Sequence, residues 1–328
     1  MNKNEMFRLL NVNLDMAIEA HELLRGEANA EVSGVVMTQE KSAYALVTTI
    51  VIETEEGARQ MGRPIGQYVT MEAPVLLSND YSAHHELTEI LGQQLIRMMS
   101  LDESASVLLV GLGNWNATPD ALGPQVITKS LITRHLYQFT PETLKGKLRE
   151  VSAITPGVLG LTGIETAEII RGIVEHVHPD LVIAIDALAA GSLERIGASI
   201  QLADTGISPG SGVGNCRMGL TEETIGCKVL AIGLPTVVNA AVIAHHTLEC
   251  LLDQLKTSPA LYRIYQELNP QMTQQILSEV LAPFHGNLMV TPKEIDTLIE
   301  SSARIITGAL SMSLHPEINE QNYPAYFQ

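Results

Sequence analysis

Cysteine is scarce in this 328-residue chain. Cys216, Cys227 and Cys250 are odd in number and show no C-x-x-C spacing, which argues against a disulfide framework and a structural zinc site. Positive charge is scarce as well. The 20 Lys and Arg stand against 37 Asp and Glu, a formal charge of −17, so no cation excess is available to displace phosphate counterions. Direct nucleic-acid binding is therefore not expected, while basic protein partners remain allowed. A long apolar run is also missing. The best stretch, Val229 to Ala244, is interrupted by Gly233, Pro235 and Asn239 and falls short of the roughly 20 residues that span a bilayer. No membrane association is expected. The opening MNKNEMFRLLNVNLD lacks the apolar core and small-residue cleavage site of a secretory signal, so the expected location is cytoplasmic.

What the chain does have is apolar mass. Hydrophobic residues make up 45 % and charged residues 17 %, a balance that folds around a sizeable core. Short apolar strands are expected at Tyr44–Ile52, Val107–Val110, Leu181–Ile185 and Val229–Ile232, the last three ended by Gly111, Asp186 and Gly233. Helical patterns at Asn79–Ser100 and Glu165–His176, and a crossover after Glu222, alternate with them. Thr162-Gly-Ile-Glu165 and Thr291-Pro-Lys-Glu294 have the form of capping boxes. The expected fold class is α/β, a mostly parallel sheet flanked by helices on both faces with a small additional β region. The glycine-rich segment Asp204–Gly219 is expected to be a long loop or a tight hairpin.

In an open α/β sheet the ligand site lies beyond the carboxyl ends of the strands, so the residues just after each apolar run come first. Two carboxylates stand there. Asp186 directly follows LVIAI, and Asp120 lies ten residues after Val110 in GLGNWNATPDALGP. Two carboxylates held close in a partly dry site cannot both ionise cheaply. One then activates water while the other donates a proton, which is amide hydrolysis without a metal. Thr118 and Pro119 read as a helix start that would favour the ionised form of Asp120, leaving Asp186 as the candidate for the raised pKa. An aspartate at a strand end is, by itself, more often a cap or loop acceptor. Asn114 and Asn116 have the types to orient a substrate carbonyl, and equally those of ordinary turn chemistry.

Rival sites are weaker. Gly111-Leu-Gly113 opens like a dinucleotide loop, but Asn116 replaces the third glycine and Trp115 would crowd a pyrophosphate. His84-His85 with Glu86 and Glu89, and His245-His246 with Glu249, contain i,i+4 pairs with metal-ligand types, yet neither matches H-E-x-x-H. Cys250 follows His246 by one helical turn, the spacing of a Cys–His nucleophile pair, but a small buried thiol on a core helix is the favoured reading. Net charge alone would also fit a non-enzymatic acidic protein that sequesters basic partners.

The blocks VGLGNWNATPDALGP (110–124), ITPGVLGLTGIET (154–166), PDLVIAIDALAA (179–190), DTGISPGSGVGN (204–215) and LMVTPKEID (288–296) resemble the germination protease family of spore-forming bacteria. The resemblance spans nearly the whole chain. It implies an endopeptidase, acting in the spore core, that initiates breakdown of small acid-soluble DNA-binding spore proteins. It implies catalytic aspartates at Asp120 and Asp186, no cofactor, and a tetrameric zymogen that removes its own N-terminal segment. Leu14-Asp15-Met16-Ala17-Ile18-Glu19 fits the family's cleavage pattern, so residues 1–15 are expected to be a propeptide cut between Asp15 and Met16 from a peptidase domain, 16–328. The family is similar in core fold to hydrogenase maturation endopeptidases, whose acidic residues hold a metal, so a metal-dependent mechanism is the alternative. Gly210, Ser211 and Gly212 are expected to border the cleft, their backbone N–H groups facing a peptide or an oxyanion.

Overall fold

The computed structural model describes residues 7, 14–26, 31–78, 80–137, 139, 144, 146–210, 217–257, 275, 279–284, 288–319 and 322. Its backbone is a single mixed sheet. Nine strands, β1 (Val35–Lys41), β2 (Leu46–Ile52), β3 (Gly66–Glu72), β4 (Val107–Gly111), β5 (Val151–Ile154), β6 (Leu181–Ala190), β7 (Ser199–Ala203), β8 (Val229–Asn239) and β9 (Met289–Val290), lie in the order β1-β2-β3-β7-β8-β6-β4-β5, with β9 on β8. Pairings β5-β4, β4-β6 and β6-β8 are parallel, as the alternation of strands and helices predicts. From β8 outward through β7, β3, β2 and β1 the pairings are antiparallel, so the expected additional β region makes up a full half of the sheet.

Helices cover both faces. On one side pack α3 (Tyr81–Met99), α4 (Leu122–Lys129) and α7 (Ile295–Leu314). Leu87, Leu91 and Leu95, spaced one turn apart on α3, join Leu109, Ile183 and Ile232 of the sheet in the largest core. On the other side α5 (Thr166–Val177) covers the parallel half, through Ile170 and Val174 against Leu108 and Val182. The antiparallel half is covered on this side by α1 (Ala17–Arg25) and α2 (Glu55–Met61). The remaining long helix is α6 (Ala240–Thr257), and no described helix is long and apolar enough to cross a membrane.

Two expected strand ends are corrected. Asp186 and Gly233 do not terminate their strands. They pair with each other inside the ladder, and β6 and β8 run on to Ala190 and Asn239. Pro235, which lacks a ladder donor, is accommodated in a central strand because the register shifts opposite it, between Leu188 and Ala189. Two capping boxes are also absent. Thr162 closes the turn before α5, its Oγ1 accepting from Ile164 N–H at 3.2 Å, and Thr291 instead donates to the Thr236 carbonyl at 2.9 Å. The box that does form is Thr221 with Thr224, on the single-turn helix Glu222–Ile225. The arms of the glycine-rich segment pair through Ile207 and Leu220, a hairpin-like base.

A buried cation ties α1 to the sheet. Arg195 meets Glu22 at 2.8 and 2.5 Å, Glu72 on β3 at 2.9 Å and Glu19 at 3.8 Å. Burial works against its charge, and the Glu22, Glu72 and Glu19 carboxylates more than offset that cost. Removing the cation leaves carboxylates facing one another. Arg195→Met is expected to destabilise the fold by about 3 kcal/mol, the low end for a broken buried pair, because Glu22 stays half solvated. Hydrogen exchange should show the loss concentrated in residues 17–25, and unchanged protection there would contradict the assignment.

Candidate active site

The loop after β4 carries Asp120. Its first residue is tied to the strand that carries Asp186, through Leu112 N–H to the Ile185 carbonyl at 2.8 Å, and this tether draws the two aspartates together. The chain then folds back on itself. Asp120 sits at the end of a short 3-10 turn, Thr118–Asp120, and its carbonyl accepts from Asn114 N–H at 3.0 Å. Gly113 makes this return possible. Its φ is 108°, and an added Cβ would lie 2.0 Å from the Asp120 carbonyl oxygen, so only glycine fits. The Asn114 side chain is occupied within the loop, its oxygen accepting from Asn116 N–H at 3.0 Å, and Asn116 is exposed.

Asp186 lies inside the sheet, 5 % exposed, with one carboxylate oxygen accepting from Ala187 N–H at 2.9 Å. Burial first, then the charge of Asp120, and finally that of Asp15, push its pKa well above the ordinary carboxylate range. Asp120 is raised to about 6 by burial, opposed by the Asn114 N–H and by the nearby Arg217 guanidinium. What this corrects is the expected lowering by a helix start: the shift of Asp120 is upward, and burial causes it. Three residues of 3-10 turn supply too few aligned peptide dipoles to outweigh desolvation. Both carboxyls are shifted towards the protonated form, and Asp186 is the more deeply buried of the two.

Across the sheet from Asp186 the register runs to Gly233 on β8 and then to Gln201 on β7. Aligned side chains on neighbouring strands share a face, so Asp186 and Gln201 flank a trough across Gly233, over whose backbone the Leu188 side chain lies. A Cβ at position 233 would meet the Leu188 side chain at 2.4 Å. The trough opens into a groove of about 780 Å³ lined by residues that include Arg63, Tyr68, Leu188, Gln201 and Ser208.

The N-terminal segment forms part of the wall of this groove, through Leu14, Asp15, Ala20 and Leu23. Arg63 donates to the Leu14 carbonyl at 2.7 Å, Gln201 Nε2 to the Asp15 carbonyl at 3.3 Å, and Ala17 N–H donates to Gln201 Oε1 at 2.6 Å. The Asp15 carboxylate accepts from Ala189 N–H at 2.9 Å, and Glu19 accepts from Gly191 N–H at 2.8 Å. Between them Met16 is extended, φ −95° and ψ 134°, and its side chain is fully buried among Ile50, Met61, Tyr68 and Leu188. Burial of that thioether contributes roughly 2 kcal/mol to seating the segment.

Other sequence candidates fall elsewhere. His85 pairs with Glu89 on α3 at 2.8 Å, His245 with Glu249 on α6 at 3.6 Å, and Cys250 lies 3.7 Å from His246 on an exposed face. Gly210 has a positive φ of 71° in the glycine-rich segment, while Ser211, Gly212 and Cys216 lie outside the described residues. Gln201, Arg63 and Arg217 were not singled out in the sequence. For Gln201 a signal existed, a carboxamide inside the otherwise apolar SIQLA strand.

Because Asp186 holds its proton more tightly folded than unfolded, the fold loses stability as pH rises above the ordinary range near 3.8, until the folded group itself ionises. Asp186→Asn removes that loss. The variant is expected to melt higher than the wild type at pH 7, with the gap closing towards pH 4, and a lower Tm at pH 7 would contradict the burial argument.

Comparison with known proteins follows the same lines as the residue blocks. The family model for germination protease matches residues 14–260 and 256–327. Germination protease of Caldanaerobacter subterraneus is 44 % identical over 320 residues, covering 96 % of this chain and 98 % of the relative. The Clostridium perfringens and Priestia megaterium germination proteases are 43 % and 39 % identical, covering 94 % and 96 % of this chain and 97 % and 96 % of their own. A solved [NiFe] hydrogenase maturation protease, HycI of Thermococcus kodakarensis, is 18 % identical with a TM-score of 0.32, covering 66 % of this chain and 98 % of its own. Matched by the family model over nearly all its length, and by relatives well above 30 % identity, the chain belongs to the germination protease family.

Proposed function

We propose that this peptidase is an aspartate-dependent endopeptidase that starts the breakdown of small, acid-soluble spore proteins in the spore core. In this reading it is made as a homotetrameric zymogen, in which residues 1–15 form a propeptide and residues 16–328 the peptidase domain. One observation carries the chemistry. Two carboxylates 66 positions apart in sequence, the half-buried Asp120 and the buried Asp186, lie close enough that the charge of Asp120 raises the pKa of Asp186.

Ionised Asp120 takes a proton from water as the water oxygen bonds to the peptide carbonyl carbon and the carbonyl π pair moves to oxygen. Protonated Asp186 gives its proton to the amide nitrogen as the C–N bond breaks. Water is consumed, and a carboxylic acid and an amine are released. The seating of Asp15 between Gln201 and Asp186 supports direct obstruction as the means of silencing. Met16 fills the apolar pocket, and Asp15 lies within electrostatic reach of Asp186.

One charged neighbour supports the metal-free reading over the metal-dependent alternative. The cationic Arg217 lies near Asp120, and a positive charge there opposes a second cation. Asp120→Asn and Asp186→Asn are each expected to slow removal of residues 1–15 by at least about 10²-fold, the lower end for losing a general acid or base. Intact-mass analysis reads this directly. Loss of processing on chelation, with rescue by added metal, would overturn the metal-free mechanism.

The pH profile locates the base. Activity should fall on the acid side as Asp120 protonates, near its value of about 6. Because Arg217 favours the charged form, Arg217→Ala should move that limb to higher pH, and an unmoved limb would show that another group titrates.

A further inference from the structure

The trough beside Asp186 holds a polar group for which the acid–base pair leaves no task. We propose that Gln201 is the donor to the scissile carbonyl, its side-chain N–H aimed at the oxygen that takes up charge when water adds at Asp15–Met16. The assignment rests on that bond being the one cleaved.

Gln201 is buried, 7 % exposed, and its two amide atoms bracket Met16. Ala17 N–H can only donate, so the atom 2.6 Å from it is the carboxamide oxygen, and the nitrogen must face the Asp15 carbonyl. At 3.3 Å the contact to that carbonyl is longer than the usual 2.9–3.0 Å of an N–H to oxygen bond. Such a bond gains most when the oxygen becomes anionic, which is the condition for lowering a barrier rather than merely tightening the ground state.

The placement agrees. Asp15 crosses the trough, its carboxylate on the β6 backbone at Ala189 and its carbonyl on β7 at Gln201. Asp186 stands on β6, two strands from Gln201, with Gly233 between them. The second bond, to Ala17 N–H, fixes the peptide plane and so the direction from which that carbonyl presents itself.

Replacement separates this role from packing. Gln201→Leu keeps the volume and removes the donor. Gln201→Glu keeps an acceptor for Ala17 N–H and has a donor only when protonated. The charged groups around position 201 are Asp15 and Glu19 of the N-terminal segment, Arg63 ahead of β3, and Asp186 on β6.

The full chain and both variants are followed by intact mass across pH, with circular dichroism confirming the fold. Loss of an oxyanion donor costs about 10²- to 10³-fold, so Gln201→Leu should process that much more slowly than the wild type. Gln201→Glu should recover towards the wild-type rate as pH falls and lose it as pH rises. A loosened segment has no reason to show that dependence. An added negative charge acting only on the Asp120/Asp186 pair would raise both pKa values and shift activity the opposite way. Wild-type processing with Gln201→Leu equally fast, or Gln201→Glu following the wild-type profile, would overturn the role of Gln201 and leave the protease reading standing. A wild-type terminus other than Met16, or no wild-type cleavage, would remove the scissile carbonyl itself and with it this role.

Discussion

The site depends on one electrostatic constraint: Asp186 cannot afford a charge where the sheet puts it. It is surrounded by apolar strands, and the negative Asp120 stands nearby. Coulomb repulsion between like charges grows as water is removed, so folding this sheet forces one proton to stay on the pair. Everything around the site serves that closeness. The tether from Leu112 to Ile185 brings the Asp120 loop against β6, Gly113 lets the loop return, and Gly233 makes room for the Leu188 side chain next to Asp186.

The same constraint connects catalysis with silence. A site built from two half-neutral carboxylates holds a peptide weakly by charge, so the peptide must be held by its backbone and by an apolar side chain. The N-terminal segment is held in that way, through Arg63, Gln201 and the main-chain N–H groups of Ala189 and Gly191, with Met16 in its pocket. Arg195 fastens the helix that follows. In the proposed zymogen, the contacts that would position a substrate are those that keep one out.

Much of this was legible in the sequence, and what was not has physical reasons. Apolar runs closed by acidic residues or glycine located β4, β6 and β8, and the positions beyond them led to Asp120 and Asp186. The ends of β6 and β8 are not legible in this way, because a run of apolar letters ends at the first polar residue while a ladder continues through an aspartate or a glycine. The antiparallel half was largely hidden. β1 is a polar edge strand with most side chains in water, and β7 is five residues long. Thr118-Pro119 has the letters of a helix start, yet only tertiary packing decides whether the turn it opens is long enough to carry a field. Gln201 gains its meaning from a register two strands wide, which no local pattern encodes.

The most direct test of the account is the protonation of the pair itself. Carboxyl-carbon NMR of the full chain, labelled at aspartate and assigned through Asp120→Asn and Asp186→Asn, follows each group separately across pH. The account predicts that Asp120 ionises near pH 6 while Asp186 keeps its proton well above the range of ordinary carboxylates. Both groups ionising independently near 4 would mean that they do not share a dry site, and the shared-proton mechanism would fall with that result.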